Sequence, residues 1–154
     1  MIRLSKLTDY AVVILSFMAR DNTKVRAAME IASATGIALP TVSKILKLLL
    51  NAKVLISTRG AKGGYELAKV PEKITIASVI SALEGPIALT ECSISQQGCE
   101  QASGCEIRGN WGLINQTIHN ALESVTLADM STPVRSQNSA WQKEILIPIA
   151  SLYR

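Results

Sequence analysis

The sequence predicts a mainly α fold: a winged helix-turn-helix DNA-binding domain with a small β-hairpin wing, followed by a long dimerisation helix. Three features carry that expectation. Residues 27–51 read as helix, tight turn, helix, with Gly36 and Pro40 at the junction. A β-branched run and a glycine-rich basic turn follow at once, in the place of a wing. Apolar residues then recur at steps of three and four over residues 107–130, further than a domain this small can cover.

Residues 4–20 form the first predicted helix, because Leu7, Ala11, Ile14, Leu15 and Met18 fall on one stripe. Ser5 and Thr8 suit its start, and Asp21-Asn22-Thr23 ends it with turn formers. A short second helix is expected over residues 27–35, closed by Gly36 where a left-handed residue is wanted. Ile37-Ala38-Leu39-Pro40-Thr41 makes the turn, and Pro40 fits the first position of the next helix, where its missing N–H would be unpaired anyway. In that third helix, residues 40–51, Val42, Ile45, Leu46 and Leu49 lie within about 100° of one another, while Pro40, Ser43, Lys44 and Lys47 occupy the opposite arc. The second arc, with Thr41 beside it, is the candidate DNA-binding face, since small polar and basic groups reach phosphates and base edges in a major groove. An ordinary solvated helix face has the same pattern.

Residues 54–58 and 65–68 are the strands of a hairpin whose tip, Arg59-Gly60-Ala61-Lys62-Gly63-Gly64, lacks the Gly-Lys-Ser/Thr of a phosphate-binding loop. Arg59 and Lys62 are its candidate contacts to the DNA backbone or minor groove. Pro71-Glu72-Lys73 breaks the chain, and residues 74–84 form a fourth helix ending at Gly85-Pro86. The long helix, from residue 107 to about 130, carries Trp111, Ile114, Ile118, Leu122 and Val125 on one stripe. Such a stripe points to pairing between two subunits, or to packing on the chain's own winged domain. Beyond Thr132-Pro133 the periodicity is lost, and the apolar run Ile145-Leu146-Ile147-Pro148-Ile149 has no assigned place. The expected division is residues 1–73 for DNA binding, 74–132 for the cysteine loop and dimerisation helix, and 133–154 as an unassigned tail.

With 154 residues and 48% hydrophobic composition the chain can bury a proper core. Its net charge of +4 is unevenly spread: residues 1–73 hold twelve Lys and Arg against five Asp and Glu, and residues 74–154 hold four against seven. A basic first part suits a polyanionic partner. No apolar stretch approaches the ~20 residues of a membrane span. The N-terminus is a polar amphipathic segment rather than a secretory signal, so a cytoplasmic protein with no membrane partner is expected.

All three cysteines lie in Cys92-Ser-Ile-Ser-Gln-Gln-Gly-Cys99-Glu-Gln-Ala-Ser-Gly-Cys105. Cysteine is normally a small buried hydrophobe, so three of them in a polar, glycine-bearing loop point to chemistry. Soft-metal ligation fits, because thiolates select zinc, copper(I) and iron-sulfur clusters. A structural zinc site would show paired short spacings and a fourth ligand close by, and a disulfide would leave one thiol over and need an oxidising compartment. Redox-active thiols without metal stay open. A thiol oxidoreductase or ferredoxin-like carrier is disfavoured, since the chain has no Cys-x-x-Cys pair, no base suited to a nucleophile and no nucleotide fingerprint.

The opening Leu4-Ser-Lys-Leu-Thr-Asp-Tyr-Ala11, residues 37–48, Arg59-Gly60-Ala-Lys-Gly-Gly-Tyr65, Val79-Ile80-Ser81-Ala82-Leu83-Glu84-Gly85 and the cysteines followed by Trp111 resemble the bacterial winged-helix regulators of the IscR and NsrR type. Those proteins control iron-sulfur cluster assembly or respond to nitric oxide. The resemblance spans about residues 1–132, and Thr126-Leu127-Ala128-Asp129-Met130 is most similar to the branch that regulates the SUF cluster-assembly operon. It implies a homodimer crossing through the long helix, with a 2Fe-2S or 4Fe-4S cluster near the interface, read out through the winged helices.

Cys92, Cys99 and Cys105 match the family's three thiolate ligands. Three residues after the last cysteine the IscR branch has a ligating histidine; this chain has Arg108, which stays protonated and cannot ligate. In the nitric-oxide-responsive branch an aspartate near the start of the first helix, donated by the other subunit, completes the site, and Asp9 occupies the matching position. As a plain first-turn carboxylate Asp9 would instead serve the helix dipole. Glu91, Glu100, Glu106 and His119 are weaker candidates for the fourth ligand. The resemblance thus implies a homodimeric repressor of iron-sulfur assembly genes that reads a pseudo-palindromic operator and senses iron, oxidant or nitric-oxide status. The competing expectation is a metal-free thiol switch.

Overall fold

Ser5 adopts the extended conformation of a helix N-cap, and its hydroxyl accepts from the Thr8 N–H at 3.3 Å. From it runs α1 (Lys6–Ala19) in the computed structural model, which describes residues 3–60, 62–94 and 104–132. Ala11, Ile14, Leu15 and Met18 are buried along the expected stripe and form the centre of the core. α2 (Ala28–Thr35) ends at Gly36, whose φ of +71° a side chain would resist, and the Gly36 N–H donates to Ala32 O at 2.9 Å. α3 (Leu39–Asn51) has Pro40 in its first turn and meets α2 at 120°, the wide crossing of a helix-turn-helix.

β1 (Leu55–Thr58) and β2 (Gly64–Leu67) pair antiparallel, with Leu55 opposite Leu67 and Thr58 opposite Gly64. Leu55 and Leu67 are buried at the base of this hairpin, while Ile56, Ser57 and Thr58 are exposed. Just before α2, Arg26 adds a third strand one residue long: its N–H donates to Tyr65 O, and the Tyr65 N–H donates to Arg26 O, both at 2.9 Å.

Pro71–Lys73 form a single 3-10 turn, and α4 (Ile76–Glu84) begins at Thr75, whose hydroxyl accepts from the Ser78 N–H at 3.2 Å. α4 packs on α1, α3 and α6. α5 (Glu91–Ile94) is a short helix within what the sequence presents as loop. The helix expected over residues 107–130 is in fact two, α6 (Arg108–Glu123) and α7 (Leu127–Ser131).

The break between them has local and tertiary causes. Val125 and Thr126 are β-branched, and Thr126 forms a capping box with Asp129 that takes the Thr126 N–H away from the helix at 2.8 Å. Meanwhile Val125 O accepts from the Ile76 N–H at 2.9 Å, and the Leu127 N–H donates to Ile74 O at 2.8 Å. Leu127 thereby enters the core against α1, fully buried.

Ile74, Val79 and Leu127 share one cluster with the α1 and α3 side chains, so the division expected after residue 73 runs through a continuous core. The tail from residue 133, with its apolar run, lies outside the described residues. No single described helix is long and apolar enough to cross a membrane.

Candidate nucleic-acid interface and cysteine site

The two faces of α3 separate as the periodicity requires. Val42, Ile45, Leu46 and Leu49 have no exposure, whereas Pro40, Ser43, Lys44 and Lys47 face solvent and Thr41 is half-buried. At the wing, Arg59 is exposed just before, and Lys62 within, a turn in which the Gly63 N–H donates to Gly60 O at 2.9 Å. Among the described residues the only ion pairs are Lys24–Glu30 at 3.1 Å and Arg26–Glu30 at 2.8 Å. Lys44, Lys47, Arg59 and Lys62 are therefore cations without an ion-pair partner there, available to phosphates.

Arg26 was not among the residues that the sequence singles out. Its side chain is buried, with the guanidinium 4.4 Å from the Phe17 ring centroid and Nη1 donating to Glu30 Oε1. Lys24 above all holds the Glu30 carboxyl below its ordinary pKa; burial opposes it, and Arg26 adds to the lowering. A Cβ on Gly64 would stand 2.5 Å from Arg26 O, so this contact between β2 and the residue-26 strand requires glycine. The Arg26–Glu30 pair has the local i,i+4 spacing, but no spacing signals the contacts with Phe17, Tyr65 and Gly64, which are distant in sequence.

The path to the cysteines starts at Glu84, the last residue of α4. Its carboxylate accepts from the Ser5 N–H at 2.8 Å and from the Thr8 hydroxyl. In a capping box the third helical residue supplies that carboxylate. Here the third residue is Thr8, fully buried, and the acid comes from the end of α4. The Thr8 hydroxyl first, then the Ser5 N–H, hold Glu84 below the ordinary glutamate range.

Asn115 of α6 next pins the connecting segment. Its Nδ2 donates to Ile87 O and its Oδ1 accepts from the Leu89 N–H, both at 3.1 Å. α5 then lies on α6 and presents Cys92, whose Sγ is 3.1 Å from Thr90 Oγ1. Cys92, Arg108, Gly109, Gly112, Asn115 and Gln116 line a half-open cleft of about 470 Å³.

Cys92 and Cys105 are free thiols, each half-buried, and Cys99 lies outside the described residues. Two soft donors kept out of the apolar core, one of them at an open cleft, fit thiolate ligation of an iron-sulfur cluster. Asp9 is exposed on the first turn of α1 and does not line the cleft; nor do Glu91, Glu106 and His119. Among the described residues no three His, Cys, Asp or Glu side chains gather. Arg108, the departure from the IscR pattern, does line it beside Cys92.

A family model described as "Rrf2: Iron-dependent Transcriptional regulator" matches residues 4–133. Protein rrf2 of Nitratidesulfovibrio vulgaris strain Hildenborough is 35% identical over 101 residues, which are 66% of this chain and 67% of that protein. CymR, described as the global cysteine regulator of B. subtilis, superposes with a TM-score of 0.65 at 29% identity, over 85% of this chain and 97% of that one. IscR of T. potens superposes with a TM-score of 0.62 at 26% identity, over 84% and 85%.

Proposed function

The chain belongs to the Rrf2 family of transcriptional regulators, and on that premise we propose that it binds operator DNA as a homodimer, represses the genes it controls and carries an iron-sulfur cluster at its cysteine segment. Its relatives and structural neighbours are transcriptional regulators, and it is not an enzyme. The observation that carries the DNA-binding reading is α3: one side is wholly buried, and the other offers hydroxyls and unpaired lysines to solvent. Lys44 and Lys47 neutralise phosphates, Pro40, Thr41 and Ser43 meet base edges at the start of the helix, and Arg59 and Lys62 extend the footprint from the wing. A two-fold protein reads a pseudo-palindrome with half-sites about one helical turn apart.

The homodimer is supported by α6. None of its residues is buried, and Trp111 and Ile114 remain 36% and 43% exposed along the apolar stripe. A helix of this length with an uncovered apolar face suits pairing with its own copy.

The cluster reading rests on the donor set: Cys92, Cys99 and Cys105 supply three thiolates, and the partner subunit's Asp9 completes them. Glycine inside a helix is unfavourable, yet a Cβ at Gly112 of α6 would meet nothing among the described residues within 4 Å. That supports a use for the space outside the monomer. When bound, the cluster supplies a centre whose loss to oxidant, nitric oxide or iron shortage frees its ligands. The chain's own residues carry the change onward: Asn115 ties the segment before Cys92 to α6, Glu84 ties it to α1, and α1 packs on α3. The likeness to an IscR structure and the Thr126-Leu127-Ala128-Asp129-Met130 motif support iron-sulfur assembly genes, the SUF operon among them, as targets.

The likeness to CymR, a cysteine regulator by its description, favours a second reading in which the thiols switch DNA binding without metal. Purification without oxygen, with iron and sulfide analysis and visible absorption, separates the two. Wild type is expected to be coloured, with Cys92→Ser and Cys105→Ser colourless and Asp9→Ala depleted in iron. Stripping the cluster should change affinity for a selected duplex by at least about tenfold, the scale of an allosteric coupling. Colourless wild type whose affinity responds to thiol oxidation would establish the metal-free switch instead.

A further inference from the structure

We propose that Arg26 is the positioning residue of the wing: clamped between Phe17 and Glu30, it holds the tip-side end of β2 and so sets where Arg59 and Lys62 meet DNA. The proposal rests on the reading of those two wing residues as DNA contacts.

The hairpin is held differently at its two ends. At the base, Leu55 faces Leu67 and both are buried in the core. Towards the tip, Ile56, Ser57 and Thr58 are exposed, so β1 gains no burial there. A two-stranded hairpin of four residues a side is marginal by itself. Tyr65 rests partly on the core, but both of its main-chain hydrogen-bonding groups go to Arg26, and Gly64 closes to near-contact with Arg26 O. The tip turn starts one residue before Gly64, with Gly63 bonded to Gly60 and Lys62 next to it. Residue 26 is therefore the support nearest the wing's cations among the described residues.

Its side chain is chosen for orientation more than for burial. A buried guanidinium is costly to desolvate, and an apolar chain of similar size would fill the space as well. Arg26 is 7% exposed, and its Nε has no hydrogen-bond partner among the described residues. What the guanidinium adds is a fixed plane: stacked on Phe17 of α1 and bonded to Glu30 of α2, it locks residue 26 to both helices that frame α3. The strand at residue 26, and with it Tyr65 and Gly64, then has one orientation relative to α3.

The test is a double-mutant cycle between the clamp and the tip. The full-length protein, purified without oxygen, is titrated with a fluorescent duplex selected from a random pool by the wild type. Arg59→Ala should weaken wild-type binding by about tenfold and flatten its salt dependence by about one unit. In the Arg26→Met background the same substitution should cost less than about twofold, with unchanged secondary structure, and Arg26→Lys should restore part of the coupling. Phe17→Leu, which removes only the stack, is expected to reproduce the loss of coupling and covers the case that Arg26→Met does not fold. Equal cost of Arg59→Ala in all folded backgrounds overturns the clamp while leaving the wing as a DNA contact. No effect of Arg59→Ala on the wild type overturns the wing contact itself, and the clamp with it.

Discussion

Glu84 and Ser5 stand 79 residues apart, yet the carboxylate closes the first turn of α1 as if it belonged to that helix. Its pKa is depressed, so the bond is stronger for the ionised acid. A depressed acid stabilises the fold at every pH above its unfolded value, about 4.3, and that contribution is lost as pH falls through the lower folded value. Glu84→Gln should therefore melt lower than wild type at pH 7, by up to about 1 kcal/mol, the scale of a lost cap at an exposed site. Thermal melts from pH 7 down to pH 2.5 should show the two proteins converging in acid; a constant gap would mean that the ionised form is not what Ser5 and Thr8 bind. Ser5 as the cap was legible, because cap chemistry is local. Neither Glu84 nor Asn115 was, because their partners are distant backbone groups that no spacing rule reaches.

At the scale of elements, period 3.6 located α1 to α4 to within two residues, since each helix buries one continuous stripe. It failed at the end of α6 for the same reason. Apolar steps continue through residues 118, 122 and 125, but Val125 has its carbonyl claimed by Ile76, and Leu127 points into the core of the winged domain. α7 is in effect the lid of α1, and Leu127→Ala is expected to cost about 2–5 kcal/mol in denaturant unfolding, as for other fully buried leucines. A loss below 1 kcal/mol would show that α7 is peripheral to the fold. The hairpin was legible as two β-branched runs around a glycine-rich tip, but its third strand was not, because one residue of pairing leaves no pattern.

For the whole molecule, the uncovered stripe of α6 carries the proposed homodimer. Ile114→Glu places a charge in the middle of that stripe, and a dimer seam there predicts a shift from dimer to monomer in sedimentation equilibrium with helix content unchanged. A dimer that survives the substitution would put the seam elsewhere. The amino-acid order by itself determined the helix-turn-helix, the basic wing, the faces of α3 and the cysteine spacing, because these depend on periodicity, turn chemistry and residue type within short windows. Only the tertiary structure decided that Arg26 fastens the wing, that Glu84 and Asn115 lead from the cysteine segment to α1 and α6, and that Leu127 joins the core. Those are meetings between groups far apart in sequence, and they exist only because the packed helices and hairpin bring those groups within reach, which no local pattern records.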